Sequence, residues 1–295
     1  MAVVVSTINL KGGVGKTQMT IALAEFLTLK HGKRVLVIDL DAQTNATVSL
    51  IPEELWLAKE RRGETLAQLF RDRLDNTGRF QIERAVVRAV SNIGGGIPGL
   101  DLLPSSPGLL EIHDSMALVP LGRYFISNPV TILRDAIHPI LQDYDLVLVD
   151  CPPYLGITTL SGIFLSDYYL IPCVPDILST YGIPLILTRI GKFNEITGKE
   201  IAPLGIVISM YRGQSRLHQT ILQDLTSRSR FPKADSRWVP RVFNTIIPLA
   251  VKSAEAAEYA VHVNTLKQKY GYGALYENYD KLAEEFLSHV ERRER

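Results

Sequence analysis

Seven short apolar runs, rich in β-branched residues, recur along the chain at 3–5, 35–38, 100–103, 146–149, 168–171, 204–208 and 242–246. They are continuously hydrophobic rather than alternating, which predicts strands buried on both faces, as in a parallel sheet. Helical patterns separate most of them. Residues 17–31 carry Ile21, Ala24, Leu27 and Leu29 near one face and stop at Gly32; 129–142 opens with a helix-compatible Pro129; 181–197 stops at Gly198. Strands and helices in alternation, joined by right-handed crossovers, predict an α/β fold: a doubly wound, mostly parallel sheet with helices on both faces. No shift in composition marks a second domain, so residues 1–295 read as one domain with helical elaborations near 52–92 and 212–240. The segment 93–98, with three consecutive glycines, reads as a flexible connection.

The first apolar run leads into Lys11-Gly12-Gly13-Val14-Gly15-Lys16-Thr17, with Gln18 next and a helical pattern following. Strand, glycine loop and helix together let backbone N–H groups and a helix N-terminus hold phosphates, while Lys16 reaches the β/γ-phosphates and the Thr17 hydroxyl binds Mg²⁺. A nucleoside triphosphate site is the first expectation. The common phosphate loop has a glycine six residues before its GK lysine; here Leu10 stands there, beside a second lysine, Lys11.

With that second lysine, KGGVGKT resembles the deviant Walker A loop of the ParA/MinD family of ATPases, which position DNA or other cargo in bacterial and archaeal cells. The resemblance implies a P-loop ATPase that uses ATP and Mg²⁺. It also implies a homodimer with ATP sandwiched between subunits, in which Lys11 crosses the interface to the partner's phosphates. Family motifs fall in order from Val3 to Pro248 and so cover nearly the whole chain.

The second signature is Asp39-Leu40-Asp41 at the end of an apolar run, where two carboxylates arrive at the ligand-collecting edge of an α/β sheet. The resemblance implies that Asp41 handles the attacking water and that Asp39 supports the metal shell. Ala42 replaces the family's usual proline. Four aliphatics ending in Asp150 form the third signature, a Walker B strand whose carboxylate reaches Mg²⁺ through Thr17 or a water. Pro152 and Pro153 force the chain out of the sheet, so 154–159 is expected as a loop that senses the γ-phosphate. Met210 and Pro248 resemble the ends of the two late strands that form the family's base pocket. Leu249 stands where the family often has an arginine.

Cys151 and Cys173 are the only cysteines, too few for a disulfide framework. Two per chain would suffice arithmetically for a cluster shared between subunits, as in iron–sulfur relatives, but their places beside buried strands favour small core side chains. The chain starts in a strand with no leader, which predicts a cytoplasmic protein, and with no preceding helix-turn-helix segment, which predicts no operator binding; the family resemblance implies association with the nucleoid.

The formal net charge is +1, so any polyanion must be met by a local patch. Between residues 212 and 241, Arg212, Arg216, Arg228, Arg230, Lys233, Arg237 and Arg241 face only Asp224 and Asp235, a local balance of +5. That patch predicts non-specific DNA binding by the ATP dimer. The family then implies release through hydrolysis stimulated by a ParB-like or cargo-adaptor protein. Two alternatives share the fold: a MinD-like positioner on a membrane surface, and a metabolic ATPase. A membrane positioner needs a basic terminal amphipathic helix. The stripe Leu275, Tyr279, Leu282, Phe286 and Val290 instead lies in a segment with six acidic and four basic residues, so it reads as core and no stable membrane association is expected.

Overall fold

The computed structural model describes residues 2–118, 129–227, 240–256, 258–259 and 263–294. Strand β1 (Val3–Thr7) leads through the glycine loop into α1 (Lys16–His31), and β2 (Val35–Asp39) follows. Four helices come next: α2 (Asn45–Leu50), α3 (Glu53–Arg61), α4 (Leu66–Asp75) and the single turn α5 (Ile82–Ala85). The chain continues as β3 (Leu100–Leu103), α6 (Gly108–Leu118), α7 (Ile132–Ile137), β4 (Leu146–Asp150) and α8 (Ile157–Leu165). Then come β5 (Tyr168–Cys173), α9 (Ile177–Thr197), β6 (Ala202–Tyr211), α10 (Arg216–Thr226) and β7 (Val242–Pro248). Helices α11 (Val251–Glu255), α12 (Leu266–Tyr270) and α13 (Ala274–Glu294) close the chain.

All seven apolar runs form strands of one sheet, in the order β3-β2-β4-β1-β5-β6-β7, and every pairing is parallel. Successive side chains of a strand point to opposite faces, and both faces are covered. Leu36, Ile38, Val147, Val149, Ile206 and Ile208 pack into one core layer, whereas Val35, Val37, Leu146, Leu148 and Val207 pack into the other. That is why the runs read as unbroken hydrophobic stretches.

The second layer contains α1 and the C-terminal helices. Phe26 on α1 sits among the rings of Tyr270, Tyr276 and Tyr279, with centroids 5.4, 5.3 and 6.1 Å away. Leu275, Tyr279, Leu282, Phe286 and Val290 are all buried here. Withdrawing five such side chains from the core to coat a membrane would cost on the order of 10 kcal/mol.

Three local expectations change. Residues 129–142 are not one helix: a 3₁₀ turn at Pro129–Thr131 precedes α7, and a second 3₁₀ segment, His138–Asp143, follows with Pro139 at its start. A proline lacks the N–H that would continue α7. Segment 93–98 is no loose connection, because Gly94 N donates to the Val263 carbonyl at 2.7 Å, Ile97 N donates to that of Val90 at 3.0 Å, and both isoleucines are buried. Gly96 has φ of +126°, and a Cβ there would sit 2.1 Å from the Ala89 carbonyl oxygen, so the glycine permits a tight turn. The loop after Asp150 is also shorter than expected, since α8 begins at Ile157.

Candidate functional site

Strands β2, β4 and β1 are neighbours in register, with Asp39 opposite Asp150 and Asp150 opposite Thr7. Their C-terminal ends, the glycine loop and the 41–47 loop therefore meet at one edge of the sheet. Gly13 and Gly15 adopt φ of +70° and +81°, and Gly15 is the residue from which α1 departs. Glycine adopts this left-handed conformation without strain, so the loop can turn directly into the helix N-terminus. Three contacts fix the loop: the Ser209 hydroxyl donates to the Val14 carbonyl at 2.8 Å, Lys11 N donates to Asn9 Oδ1 at 3.0 Å, and Asn9 Nδ2 donates to the Pro172 carbonyl at 2.8 Å.

The two lysines lie in different settings. Lys16 is 7% exposed and its Nζ donates to the Lys11 carbonyl at 3.1 Å. Burial lowers its pKa, against the opposing charges of Asp150 and Asp41. Lys11 instead points along the rim, where its Nζ meets Asp176 Oδ2 at 2.7 Å and its side chain keeps 36% exposure. Asp176 caps α9, its Oδ1 accepting from Ser179 N at 2.7 Å. Burial opposes ionisation of Asp176, but Lys11 and Ser179 outweigh it and hold the carboxyl below its usual range.

The three carboxylates also differ. Asp39 is fully buried, and both of its oxygens are engaged: Oδ1 accepts from Asp41 N at 3.1 Å, and Oδ2 from Thr47 N at 2.9 Å and the Thr47 hydroxyl at 2.7 Å. Burial raises its pKa to about 7, although Thr47 and Asp41 N favour the anion. Asp41 faces the cavity and accepts from Gln43 N at 2.9 Å, while its carbonyl accepts from the Ser105 hydroxyl at 2.7 Å. Asp150 is buried with both oxygens short of a completed hydrogen bond. Burial and then the Asp39 charge push its pKa up, whereas the nearby Thr17 hydroxyl and Lys16 pull it down.

A buried carboxylate with unfilled oxygens beside a hydroxyl is a poor resting arrangement without a cation. Oxygen donors of this kind suit a hard ion such as Mg²⁺, which takes one or two protein ligands and completes its shell with water and phosphate oxygens. Among the described residues no three acidic, histidine or cysteine side chains form a self-sufficient metal cage.

A cavity of about 460 Å³ lies over these groups, lined by Gly12, Gly13, Gly15, Lys16, Thr17, Gln18, Asp41 and Met210 among others. A second of about 200 Å³ continues from Gly15 and Gln18 past Met210 to Pro248 and Tyr279. Met210 has φ of +49°, and its Cε lies 3.5 Å from where a Cβ on Gly15 would stand. Thus Met210 and Pro248 are brought beside the loop. Sequence reasoning missed Gln43, Asn45, Pro153, Ser253 and Tyr270 in this lining, and missed Asp176 on Lys11. Of these, Pro153 closely follows Asp150, and Gln43 and Asn45 closely follow Asp41 in the 41–47 loop. The others come from distant parts of the chain and carry no local signal.

Behind the loop, Glu25 on α1 is fully buried. Its Oε1 accepts from Lys269 Nζ and the Ser91 hydroxyl, each at 2.6 Å, and its Oε2 from the Tyr270 hydroxyl at 2.7 Å. This cluster ties the helix that starts at Lys16 to the C-terminal part of the chain.

Cys151 and Cys173 are both buried, and burial followed by the Asp150 charge drives the Cys151 thiol far above its ordinary pKa. Neither is placed for a surface cluster. The basic run divides. Arg212 and Arg216 sit past the C-terminal end of β6, but Arg241 precedes the first residue of β7, a parallel neighbour. One strand length, roughly 20 Å, separates them. Arg228, Arg230, Lys233 and Arg237 lie outside the described residues.

The family model described as an AAA domain matches residues 2–202, more than half of the chain. The chain is 30% identical to the chromosome-partitioning ATPase Soj of Thermus thermophilus over 284 residues, covering 96% of this chain and 94% of Soj. It is 26% identical to the chromosome partitioning protein ParA of Caulobacter vibrioides, over 87% of this chain and 84% of that protein. Among solved structures, cobyrinic acid a,c-diamide synthase of Mycobacterium smegmatis with a bound ATP analogue and magnesium superposes with a TM-score of 0.72 at 24% identity, covering 99% and 96% of the two chains. Apo McdA from Cyanothece superposes with a TM-score of 0.73 at 18% identity, covering 97% and 100%. With a paired-lysine phosphate loop at its centre, a family model matched over most of its length and Soj matched almost end to end, the chain belongs to the ParA/MinD family of ATPases.

Proposed function

We propose that this protein is a ParA-like partition ATPase that binds Mg²⁺ and ATP, closes into a homodimer with ATP sandwiched between subunits, and in that state binds non-specific DNA. The observation that carries this is the division of labour between the lysines: Lys16 is buried under the loop, and Lys11 is held at the rim with its ammonium partly exposed. A metabolic ATPase of the same fold needs only the first. Similarity to a diamide synthase reflects the fold and does not separate the two; the place of Lys11 at the rim supports the partition reading.

Thr17 and Asp150 hold the metal on this reading, and Asp39 supports it at one remove by fixing the 41–47 loop through Thr47. Mg²⁺ supplies charge neutralisation at the β- and γ-phosphate oxygens. Asp41 orients the attacking water, Lys16 and the loop amides hold the phosphates, and Met210 and Pro248 flank the base. Lys11 leaves Asp176 and reaches the partner's phosphates. The protein works in the cytoplasm on the nucleoid, and a ParB-like or cargo-adaptor protein stimulates hydrolysis and so release. Arg212 and Arg216 supply part of the DNA surface, doubled by two-fold symmetry. A membrane role is disfavoured, because the apolar stripe of α13 is consumed in the core.

The test is a mobility shift on random duplex DNA with ATP, ADP or no nucleotide, at several salt concentrations. Binding is expected with ATP, falling steeply with salt. Equal binding in all three conditions would refute the nucleotide switch, and binding in none would refute the DNA surface.

A further inference from the structure

We infer that the sheet edge opposite the nucleotide carries a second anion site, a phosphate-binding pocket built by Arg241, Arg292, Arg293 and His289. These residues and Leu204 line a cavity of about 330 Å³. Leu204 lies near the start of β6, Arg241 immediately before β7, and the other three in the last turns of α13. The pocket is thus at the N-terminal edge of the sheet, whereas the phosphate and metal loops are at the C-terminal edge.

Three exposed arginines, always charged, line one space. The Arg293 Nη2 donates to the Pro203 carbonyl at 2.9 Å, which aims that side chain. Among the described residues neither Arg241 nor Arg292 has an ion-pair partner. Glu285, the carboxylate that faces His289, is already engaged: Oε1 accepts from Asn244 N at 2.7 Å, and Oε2 from Thr245 N at 2.9 Å and the Thr245 hydroxyl at 2.8 Å. Glu291 lines a different cavity. His289 packs on Phe243 with ring centroids 4.3 Å apart, and its Nε2 is 3.8 Å from Glu285 Oε1. Burial first, and then Arg292 and Arg241, lower the His289 pKa against the pull of Glu285 and the Leu204 backbone.

Like charges gathered at one cavity repel one another, and an anion removes that repulsion. Guanidinium forks match the oxygen geometry of phosphate and carboxylate. Several arginines on one cavity favour an anion with more than one charge and several oxygens, such as pyrophosphate, a phosphate dianion or two adjacent phosphodiesters, over a single carboxylate. The shared chemistry is phosphate, and it can come from a small free anion or from a nucleic-acid backbone. This site does not depend on the proposed function, because it shares no residue with the nucleotide cavities.

The experiment follows the His289 ring-proton resonance of the full chain by NMR, identified by its loss in His289→Asn. Mg²⁺ and ADP are present in excess so that the phosphate loop is filled. One arm adds inorganic pyrophosphate, and the other a short random DNA duplex. A saturable shift with a raised His289 pKa is expected, weakened about tenfold or more by Arg241→Gln together with Arg292→Gln. Response to pyrophosphate alone assigns a free anion, and response to the duplex assigns a backbone phosphate; either supports the site. No shift in both arms overturns it, as does a shift that chloride reproduces at equal ionic strength or that the double variant leaves intact.

Discussion

Asp176→Asn isolates what the Lys11 contact does. If Lys11 must leave Asp176 to reach a partner's phosphates, the 2.7 Å pair stabilises the monomer against dimerisation. Both side chains are partly exposed, at 36% and 28%, so the pair is worth about 0.5–1 kcal/mol after screening. Two-fold symmetry requires two such contacts to break per dimer, for about 1–2 kcal/mol in total. Removing them should therefore tighten the dimer about five- to thirty-fold. Asparagine is the right replacement because it caps helices as well as aspartate does, so α9 keeps its Ser179 contact; alanine would add a capping loss of about 1 kcal/mol. The assay is sedimentation equilibrium with Mg²⁺ and ATP in an Asp41→Ala background, where slow turnover preserves the dimer. Unchanged or weaker dimerisation in Asp176→Asn would refute the idea that Lys11 is exchanged between Asp176 and a partner.

Four further outcomes are expected. Lys16→Ala should lose nucleotide binding, since its ammonium and the loop amides act on the same phosphates; labelled ATP titration checks this, and unchanged affinity would remove the phosphate-loop assignment. Asp41→Ala should still bind ATP and dimerise while hydrolysis stops, read by size-exclusion chromatography beside phosphate release. Asp39 ionises at about 7 in the folded chain against 3.8 unfolded, so the native state binds more protons between those values and the nucleotide-free protein should lose stability as pH rises through that window. Melting curves with and without Asp39→Asn test it, the variant flattening the slope. Glu25→Gln leaves the Lys269 ammonium buried without its counter-ion and should cost about 3–5 kcal/mol by urea unfolding.

Much of the site was legible because its chemistry is written in contiguous residues. The phosphate loop, Asp39 with Asp41, and Asp150 each follow a buried strand, and parallel register alone brings them to one edge. Contacts between distant residues were not legible. Asp176 is far along the chain from Lys11, and Lys269 farther still from Glu25, and nothing local in either neighbourhood announces its partner. The basic run 212–241 misled for the opposite reason: proximity in sequence hid the fact that β6 ends where the run begins and β7 begins where it ends. In a parallel sheet those two points lie on opposite sides of the molecule. The 129–142 segment shows the same limit at short range, since Pro129 opens a helix acceptably while Pro139 cannot continue one.

The strand order has a consequence for how the chain is made. Strand β1 is central, yet its neighbours are β4 and β5, paired through Val3 with Leu146 and Val5 with Tyr168. A ribosome adds about 5–20 residues per second, so the first strand waits on the order of ten seconds or more for both partners to be synthesised. During that interval α1 and β2 are already outside the ribosome, and each exposes apolar side chains that the finished sheet covers. No early pairing satisfies β1, because β2 and β3 meet each other but not it. Slower translation between β3 and β4 lengthens the time for which these apolar side chains stay uncovered.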